Sequence, residues 1–485
     1  MSVLVVGGGI TGLAAAYELG LGGIPTLLIE ASERLGGKVR TERADGFLVE
    51  HGPDSVLTTR PAAVSLARRL GLGDELIGVT DPRTVYILRD GRQIPLPAGL
   101  GLVLPTRVRP FVATRLFSWP EKARMALDLV MPRVASPEDE SVGAFLRRRL
   151  GVALVDRLAG PLVGGIYGTS IDDLSLDAVV PQLREAERAH RSLLLAGLAD
   201  GRRMRAAAAR GLVADRAARA NRAGTMAAAR PLGVFASLAG GLGDLVDATA
   251  RAAEATGVVT IRTGVSASTI EASGRGVRVT LSDGTSVRAD GVIVATAGPV
   301  AAGLVACLAP AAARALAAIR HGSSTVVTLA YRSDRLAEPL LGHGVLVPAS
   351  EGLPVSALTW SSNKWPGRAP AGVVLVRAFL PDEPVAGRSG AELLDLARHA
   401  VETVTRVRGA PELVRVSPWQ GSMPRYTVGH LRRVERAEQA LASWPMVRLA
   451  GAPYHGVGVP DCVTQGQAAA ADLAESVGAP LAGRA

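Results

Sequence analysis

Short apolar runs separated by glycine turns open the chain. Residues 2–6 form an apolar run typical of a buried strand, and a glycine-rich turn follows it. The segment L-A-A-A-Y-E-L has the composition of a helix, and T-L-L-I-E at 26–30 has that of a second strand that ends on an acid. This order predicts a strand–helix–strand unit. Residues 61–80 predict a further helix with Pro61 in its first turn, a position that proline favours.

The pattern changes between about residues 110 and 230, where apolar residues recur at helical spacing and prolines interrupt them. We predict a helical subdomain there. Between 184 and 230 the chain carries 11 Arg against four acids. The Ala/Arg-rich part near 200–228 predicts a mobile segment.

Strand-like sequence returns at 257–297 and at 322–380, with a hairpin turn expected at Asp283-Gly284. A helix is predicted over 389–406. The C-terminal region predicts a strand, a glycine-rich loop and a helix over 463–476. The uncharged stretch 291–313 is long enough to cross a bilayer, but its V-I-V-A-T start and its prolines favour a buried strand, a turn and a helix.

Composition narrows the class of protein. The 485 residues are 48% hydrophobic and 20% charged, so the chain can bury a large core. Its two cysteines, Cys307 and Cys462, make a disulfide scaffold improbable, and no Cys/His spacing typical of a zinc site occurs, so no metal is predicted. The apolar N-terminus has no preceding basic residue, unlike a signal peptide. We expect a cytoplasmic protein.

The chain is basic, with a formal charge of +10, and only three of its 54 basic residues are Lys. From composition alone, GC-rich codons and an anionic partner explain this excess of Arg equally well. A nucleic-acid binder ranks last among the alternatives, because no basic patch is interleaved with aromatic residues.

A phosphate-binding motif, Gly7-x-Gly9-x-x-Gly12, lies between the first strand and the first helix. Glycines there allow a tight turn and a close approach of the backbone, so that a pyrophosphate can lie at the helix N-terminus. Glu30 ends the second strand, where an acid can accept hydrogen bonds from ribose hydroxyls. The combination predicts a dinucleotide site.

The extension of this motif, Glu30-x-x-x-Arg34-x-Gly36-Gly37, resembles that of the FAD-dependent amine oxidase and carotenoid desaturase superfamily. We therefore predict FAD as the cofactor. No second G-x-G-x-x-G occurs in the sequence, so the substrate would reduce FAD directly and a diffusible acceptor would reoxidise it.

Along nearly its whole length the chain resembles the family of protoporphyrinogen and coproporphyrinogen oxidases. The stretch near 200–228 matches nothing in that family. The segments that carry the resemblance are E-H-G-P-D-S (50–55), P-L-V-G-G-I-Y (161–167), A-S-L-A-G-G-L-G-D-L (236–245), M-P-R-Y-T-V-G-H-L (423–431) and G-A-P-Y-H-G-V-G-V-P-D-C-V (451–463).

The resemblance implies a set of FAD contacts. Its members follow the cofactor from the pyrophosphate through the ribose to the flavin ring, with Val265 on the adenine side. They are Gly7, Gly8, Gly9, Ile10, Thr11, Gly12, Glu30, Ala31, Arg34, Gly37, Lys38, Gly52, Pro53, Asp54, Ser55, Val265, Trp419, Ala452, Val457, Gly458 and Val459.

For the substrate, the resemblance implies that Arg60 faces a propionate, since a guanidinium fits a carboxylate in a bidentate fork. Two flat pocket walls are expected, one from Gly165, Ile166 and Tyr167 and the other from Leu358, Thr359 and Trp360. No residue is assigned as catalytic. His51, His430 and His455 are interpreted as packing or hydrogen-bonding residues, and both cysteines as unactivated thiols.

The implied fold is α/β (α+β), with a Rossmann-like FAD-binding domain, a mixed-sheet substrate domain and a helical subdomain. The FAD-binding domain is expected to be discontinuous. The predicted boundaries are 1–85, 229–300 and 443–485 for the FAD-binding domain, 86–112 and 301–442 for the substrate-binding domain, and 113–228 for the helical subdomain.

The implied activity is oxidation of coproporphyrinogen III to coproporphyrin III in haem biosynthesis, with dioxygen as acceptor and hydrogen peroxide as product. Six electrons leave in three two-electron oxidations, each a hydride passed to the flavin from a bridging methylene. The predicted partners are the porphyrinogen, dioxygen and downstream enzymes of haem synthesis. We expect no nucleic acid and at most peripheral membrane contact.

Three other functions stay open. Protoporphyrinogen has two propionates where coproporphyrinogen has four, and the many Arg residues favour the latter. An amine or carotenoid oxidase of the same superfamily is disfavoured by the 4% aromatic content, since amine oxidases usually carry an aromatic cage. A lipid-binding escort of small GTPases shares this fold, but the intact flavin motifs argue against it.

Overall fold

The computed structural model describes residues 2–134, 138–206, 232–476, 478 and 481. The predicted mobile segment near 200–228 lies outside the described residues from 207 onward. Strands of the described residues are, in chain order, β1 (Val3–Val6), β2 (Thr26–Ile29), β3 (Thr41–Ala44), β4 (Phe47–Glu50), β5 (Val56–Leu57), β6 (Leu76–Gly78), β7 (Val85–Arg89), β8 (Arg92–Pro95), β9 (Leu100–Gly101), β10 (Leu104–Pro105), β11 (Phe235–Leu238), β12 (Val259–Arg262), β13 (Ala267–Ser273), β14 (Gly276–Leu281), β15 (Ser286–Ala289), β16 (Gly291–Val294), β17 (His321–Arg332), β18 (Gly344–Leu346), β19 (Ala357–Trp360), β20 (Val373–Leu380), β21 (Leu413–Pro424) and β22 (Val447–Leu449).

Helices alternate with these strands at both ends of the chain and cluster in its middle. They are α1 (Ile10–Leu21), α2 (Ala62–Arg69), α3 (Val108–Ala113), α4 (Trp119–Ala126), α5 (Val142–Leu150), α6 (Val152–Leu154), α7 (Gly165–Tyr167), α8 (Leu176–Val179), α9 (Pro181–His190), α10 (193–206), α11 (Gly243–Glu254), α12 (Gly298–Val305), α13 (Pro310–Ala317), α14 (Ser361–Lys364), α15 (Asp382–Val385), α16 (Gly390–Thr405), α17 (His430–Leu441) and α18 (Val459–Ser476). A π-helical segment spans Val155–Gly164, and short 3₁₀ turns span Leu127–Leu129, Ser333–Arg335 and Ala349–Glu351.

A five-stranded parallel sheet of order β12-β2-β1-β16-β22 organises the cofactor side of the molecule. Alternate residues of β1 face opposite sides, so Val3 and Val5 join one core with α1, α2, α11 and α18, while Leu4 and Val6 join a second core with α12, α13 and α17. Helices on both faces of a parallel sheet are typical of doubly wound folds. The predicted strand–helix–strand unit is confirmed.

A seven-stranded sheet of order β21-β17-β20-β19-β18-β7-β8 forms the other large layer. Its pairs are antiparallel except β18 with β7, so the sheet is mixed. Helix α16 packs on one face through Leu393, Ala397 and Val401. The helices between α3 and α9 enclose a separate core with Phe145 and Leu158 at its centre.

Two helix boundaries differ from the sequence prediction. The helix expected over 61–80 ends at Arg69, because Gly71 adopts a φ of +80° that turns the chain, and the following residues form β6. The last helix begins at Val459 rather than Val463.

The other local predictions are confirmed. Asp283-Gly284 lies in the turn that joins the antiparallel strands β14 and β15. The stretch 291–313 forms β16, a turn and α12, and α16 covers the helix predicted over 389–406. In the part of the chain that the structure describes, no helix is both long enough and apolar enough to cross a membrane.

Candidate cofactor and substrate site

The glycine turn between β1 and α1 needs its glycines for three different reasons. Gly7 has a φ of +110°, which side-chain-bearing residues rarely adopt. A Cβ added at Gly12 would lie 1.9 Å from the carbonyl oxygen of Gly7, so the helix packs directly on the turn. An added Cβ at Gly9 would meet nothing within 4 Å, and no side chain caps α1. The helix N-terminus therefore faces open space that a phosphate can fill.

Glu30 closes this turn from the neighbouring strand. Its carboxylate accepts hydrogen bonds from the backbone N–H of Gly8 at 2.7 Å and of Ser32 at 2.9 Å, and from the Ser32 hydroxyl at 2.8 Å. A carboxylate has about four acceptor sites, so one remains for a ribose hydroxyl. Glu30 thus both pins the glycine turn and keeps acceptor capacity.

The loop that follows Glu30 lies against the turn. The Gly36 N–H donates to the Gly8 carbonyl at 2.8 Å, and Arg34 donates to the Gly37 carbonyl at 2.6 Å. The Arg34 guanidinium therefore braces its own loop, and its pKa is lowered, first by burial and then by Arg40.

Lys38 is a half-buried cation. In the described part of the chain no acid or hydrogen-bond acceptor lies within bonding distance of its ammonium group, and burial lowers its pKa. A Cβ added at Gly52 would lie 2.0 Å from the Lys38 carbonyl oxygen. The segment Gly52–Ser55 therefore passes directly over the Lys38 backbone.

Asp54 fixes the segment Gly52–Ser55 to the large sheet and to the residues that follow β19. It accepts from Lys364 at 3.0 Å and from the Trp365 indole N–H at 3.1 Å, and Arg377 lies 3.6 Å away. Burial alone would raise the pKa of Asp54, but the two cations hold it well below its usual range. Sequence reasoning missed Lys364 and Arg377, although a Lys in so Arg-rich a chain is itself unusual.

Trp419 lies beside the same segment. Its indole N–H donates to the His51 carbonyl at 2.8 Å, and the nearest ring atom is 3.8 Å from the position of a Cβ at Gly52. The Arg377 guanidinium also donates to the Gly52 carbonyl. The backbone from 51 to 54 is therefore fixed from two sides by side chains of the large sheet.

The C-terminal signature returns to the start of α1. A Cβ at Gly466 in α18 would lie 2.2 Å from the Thr11 carbonyl oxygen, so the two helices are in backbone contact. The loop just before α18 is bonded to Tyr426. The Tyr426 hydroxyl donates to the Ala452 carbonyl of this loop at 2.7 Å and accepts from its Gly456 N–H at 2.8 Å. This arrangement brings Ala452 and Val457–Val459 to the same side of the molecule as the glycine turn.

Arg60 and Tyr167, two candidate substrate-pocket residues, come together beside this signature. Arg60 forms an ion pair with Asp461, and both lie close enough to Tyr167 to affect its pKa, which burial raises to about 12. The Tyr167 ring lies 5.6 Å from that of Tyr426. Gly165 and Ile166 precede Tyr167 with exposed surfaces.

The second expected pocket wall needs a correction. Leu358 and Trp360 are 1% and 0% exposed inside the core that α16 covers, so neither can contact a substrate. Their neighbour Thr359 points to the opposite face of β19, where it pairs in register with Arg377. Of these three residues, only Thr359 remains a candidate for contact with the substrate.

Val265 follows β12, the edge strand of the parallel sheet, and lies beside Glu30. Its N–H donates to the Glu30 carbonyl at 3.0 Å, so only its own carbonyl group is left for a ligand. The preceding Gly264 has a φ of +71°, which turns the chain next to Glu33.

The three histidines of the sequence motifs make structural contacts. His51 lies between Ser417 at 2.7 Å and Glu42 at 2.9 Å. His430 stacks on Tyr426 with ring centres 3.8 Å apart, and burial lowers its pKa to about 4. His455 pairs with Glu438 at 2.8 Å.

The cysteines differ from each other. Cys462 is buried, and burial raises the pKa of its thiol, whereas Cys307 is exposed.

The residues present fit an FAD cofactor. The uncapped start of α1 suits the pyrophosphate, which carries negative charge, and so does the ammonium of Lys38, which has no bonded acceptor among the described residues. Glu30 retains an acceptor site for the ribose. The Asp54 carboxylate, by contrast, is fully engaged by protein groups, so Asp54 could contact the cofactor only through its backbone.

Comparison with known proteins adds family relationships. Residues 10–474 match the model of the family described as flavin containing amine oxidoreductase. The chain is 44% identical to a coproporphyrinogen III oxidase from Propionibacterium freudenreichii subsp. freudenreichii, over 98% of this chain and 91% of the relative. It is 35% identical to a coproporphyrinogen III oxidase from Bacillus subtilis (strain 168), over 97% of both chains.

A solved structure is similar throughout. The crystal structure of an Exiguobacterium sp. 255-15 protein assigned as a protoporphyrinogen oxidase matches with a TM-score of 0.80 and 31% identity, over 97% of both chains. The expected fold class is confirmed by this similarity.

Proposed function

Since the chain belongs to the family of flavin-containing amine oxidoreductases, we propose that it uses FAD to oxidise coproporphyrinogen III to coproporphyrin III in haem biosynthesis. Membership of this family confirms the predicted flavin cofactor. The observation that carries the choice of substrate is the 44% identity, over nearly the full length, to a relative named coproporphyrinogen III oxidase.

The reaction removes six hydrogens from the porphyrinogen. Three molecules of dioxygen accept them as three molecules of hydrogen peroxide, so each turnover comprises three two-electron oxidations. The flavin supplies this redox chemistry when it is bound, and the protein contributes binding, orientation and exclusion of water. No described side chain is required as a strong base.

Each end of the site has its own task in this proposal. The glycine turn, Glu30 and Lys38 hold the nucleotide part of FAD, and the segment Gly52–Ser55 and the start of α18 flank its ring. Arg60 then binds a propionate of the substrate through its exposed guanidinium, while Ile166 and Tyr167 form an apolar wall for the macrocycle.

Arg60→Ala is the variant that tests the substrate site. A charged hydrogen bond contributes about 1.5–3 kcal/mol, so we expect the Michaelis constant for coproporphyrinogen to rise about tenfold or more, with a smaller change in turnover. Arg332→Ala is a matched control, because the Arg332 side chain is 55% exposed and ion-paired, against 56% for Arg60, but it lies outside the site.

The decisive measurement is the ratio of kcat/KM for coproporphyrinogen and protoporphyrinogen at low and high salt. Protoporphyrinogen oxidation is the second candidate, because a relative from Bos taurus that is 34% identical over 97% of this chain is named protoporphyrinogen oxidase. A preference for the four-carboxylate substrate that falls with salt supports the proposal. A preference for protoporphyrinogen that is insensitive to salt and to Arg60→Ala would favour the second candidate.

Further parts of the proposal concern the surroundings of the enzyme. We propose a cytoplasmic location, with contact to downstream enzymes of haem synthesis and at most peripheral contact with a membrane. Fractionation of cells that make the tagged protein tests the location.

A further inference from the structure

Asp461 connects two parts of the site that are distant in sequence. It is the third residue of α18, and its Oδ2 accepts from the backbone N–H of Gly458 at 3.2 Å, as an acid does in the N-terminal capping box of a helix. Its Oδ1 accepts from Nη1 of Arg60. One carboxylate therefore ties Arg60 to the start of α18.

The pair leaves Arg60 able to bind a second anion. The Arg60 side chain is 56% exposed, whereas that of Asp461 is 15% exposed. Only Nη1 of Arg60 is bonded in the described part of the chain, so the edge formed by Nε and Nη2 remains free. That edge is the one needed for a bidentate contact with a carboxylate.

We propose that Asp461 is a positioning residue for substrate binding: it holds the Arg60 guanidinium so that its free edge faces a propionate of the substrate beside Tyr167. An unrestrained Arg side chain loses rotamer freedom when it binds, and a prior contact on its other edge removes part of that cost. This inference rests on the proposed function, because it needs a carboxylate-bearing substrate.

The experiment measures binding of oxidised coproporphyrin III to the FAD-loaded protein by fluorescence titration at low salt. Arg60 and Gly458 donate to different oxygens of Asp461, and Asp461→Asn replaces one of those oxygens by an NH2 group that cannot accept, so the variant cannot keep both contacts. We expect its dissociation constant to rise about two- to fivefold, the range of an exposed ion pair, and that of Arg60→Ala to rise about tenfold or more. The double variant should bind no more weakly than Arg60→Ala.

Arg60→Lys is a second variant that leaves α18 unchanged. Lys keeps the positive charge but has no planar fork, so it cannot hold Asp461 with one edge and bind a propionate in a bidentate fashion with the other. We expect its dissociation constant to lie between those of the wild type and Arg60→Ala. Glu18→Gln is the matched control, since Glu18 is 17% exposed and pairs with Arg69 away from the pocket, and its affinity should equal that of the wild type.

Several results would overturn the inference. An unchanged affinity in Asp461→Asn would mean that Asp461 plays no part in binding, and a tighter affinity would mean that Asp461 competes with the propionate. An additive loss in the double variant would mean that the two residues act independently. Wild-type affinity in Arg60→Lys would mean that the free guanidinium edge is not needed. If the FAD-loaded wild type binds no porphyrin, the proposed function itself fails. If it binds and Arg60→Ala is weakened while Asp461→Asn is not, only the role of Asp461 fails.

Discussion

The glycine turn of residues 7–12 and the Asp54 cluster, which consists of Asp54, Lys364, Trp365 and Arg377, stabilise the two ends of the site by different interactions. At the turn, the close packing involves backbone atoms of residues 7–12, and the Glu30 carboxylate on the next strand accepts a hydrogen bond from the Gly8 N–H. At the other end, Asp54 is held by side chains more than 300 residues away along the chain. The turn depends on the absence of side chains, whereas the cluster depends on buried charges that need each other.

Asp54→Ala tests the cluster and has the largest expected effect. It removes the carboxylate that pairs with both Lys364 and Arg377, of which only Arg377 is also attracted by Glu50, so we expect the free energy of unfolding to fall by about 3–5 kcal/mol. Urea denaturation of the FAD-loaded protein measures this loss. Asp334→Ala, which removes an exposed pair, should show no measurable change. Equal stabilities of the two variants would break the comparison, since the cluster would then behave like a surface pair.

His430, which stacks on Tyr426 beside the loop before α18, tests another buried part of the site through pH. Its folded pKa of about 4 lies below the ordinary value of 6.5, because burial disfavours the charged ring. The unfolded chain therefore binds the proton more tightly, and stability that is present above pH 6.5 is lost as the pH falls toward 4. The loss is up to about 3 kcal/mol.

His430→Phe isolates this contribution, because Phe can stack on Tyr426 but does not titrate. The free energy of unfolding of this variant should fall less steeply between pH 6.5 and 4 than that of the wild type. His455, whose pKa is raised by Glu438, acts in the opposite direction and is present in both proteins. Identical slopes would show that His430 does not titrate during unfolding.

Glu30→Ala sharpens the comparison from the cofactor end. A hydrogen bond from a ribose hydroxyl to the Glu30 carboxylate contributes about 1.5–3 kcal/mol, so the variant should bind FAD about tenfold to a hundredfold more weakly. The variant also frees the Gly8 N–H, which makes the turn less ordered. Ser32→Ala, which removes one hydroxyl donor to Glu30, should weaken FAD less. Unchanged flavin content of Glu30→Ala after dialysis would contradict this role.

Gly12→Ala and Gly9→Ala separate stability from binding within the turn. The methyl group at position 12 would strike the Gly7 carbonyl, so we expect a loss of about 1–3 kcal/mol in the free energy of unfolding. The methyl group at position 9 would enter open space, so Gly9→Ala should keep its stability and lose FAD affinity. Equal destabilisation in both variants would show that the turn is packed throughout.

The sequence predicted the fold and the cofactor well because both leave local signals. The N-terminal strand–helix–strand unit and the strand–turn–helix at 291–313 follow from the pattern of short apolar segments, and the hairpin follows from the Asp283-Gly284 turn signal, whereas the wider fold was implied by the family resemblance. The helix expected over 61–80 was too long, because the composition continued while the φ of Gly71 ended the helix.

The substrate side was less predictable. Leu358, Thr359 and Trp360 are adjacent in a strand, and a strand places alternate residues on opposite faces. Which face α16 covers is decided by the packing of the large sheet, and it buries Leu358 and Trp360. The roles of the other candidate residues stay predictions, which the variants above test.

By itself, the sequence determined that a glycine turn and an acid would form a dinucleotide site, because the groups involved lie within about 25 residues and act largely through the backbone. Only the tertiary structure decided that Asp54 meets Lys364 and that Arg60 meets Asp461. Such pairs join side chains from distant segments, and a charge in a sequence carries no mark of the partner that folding will bring to it.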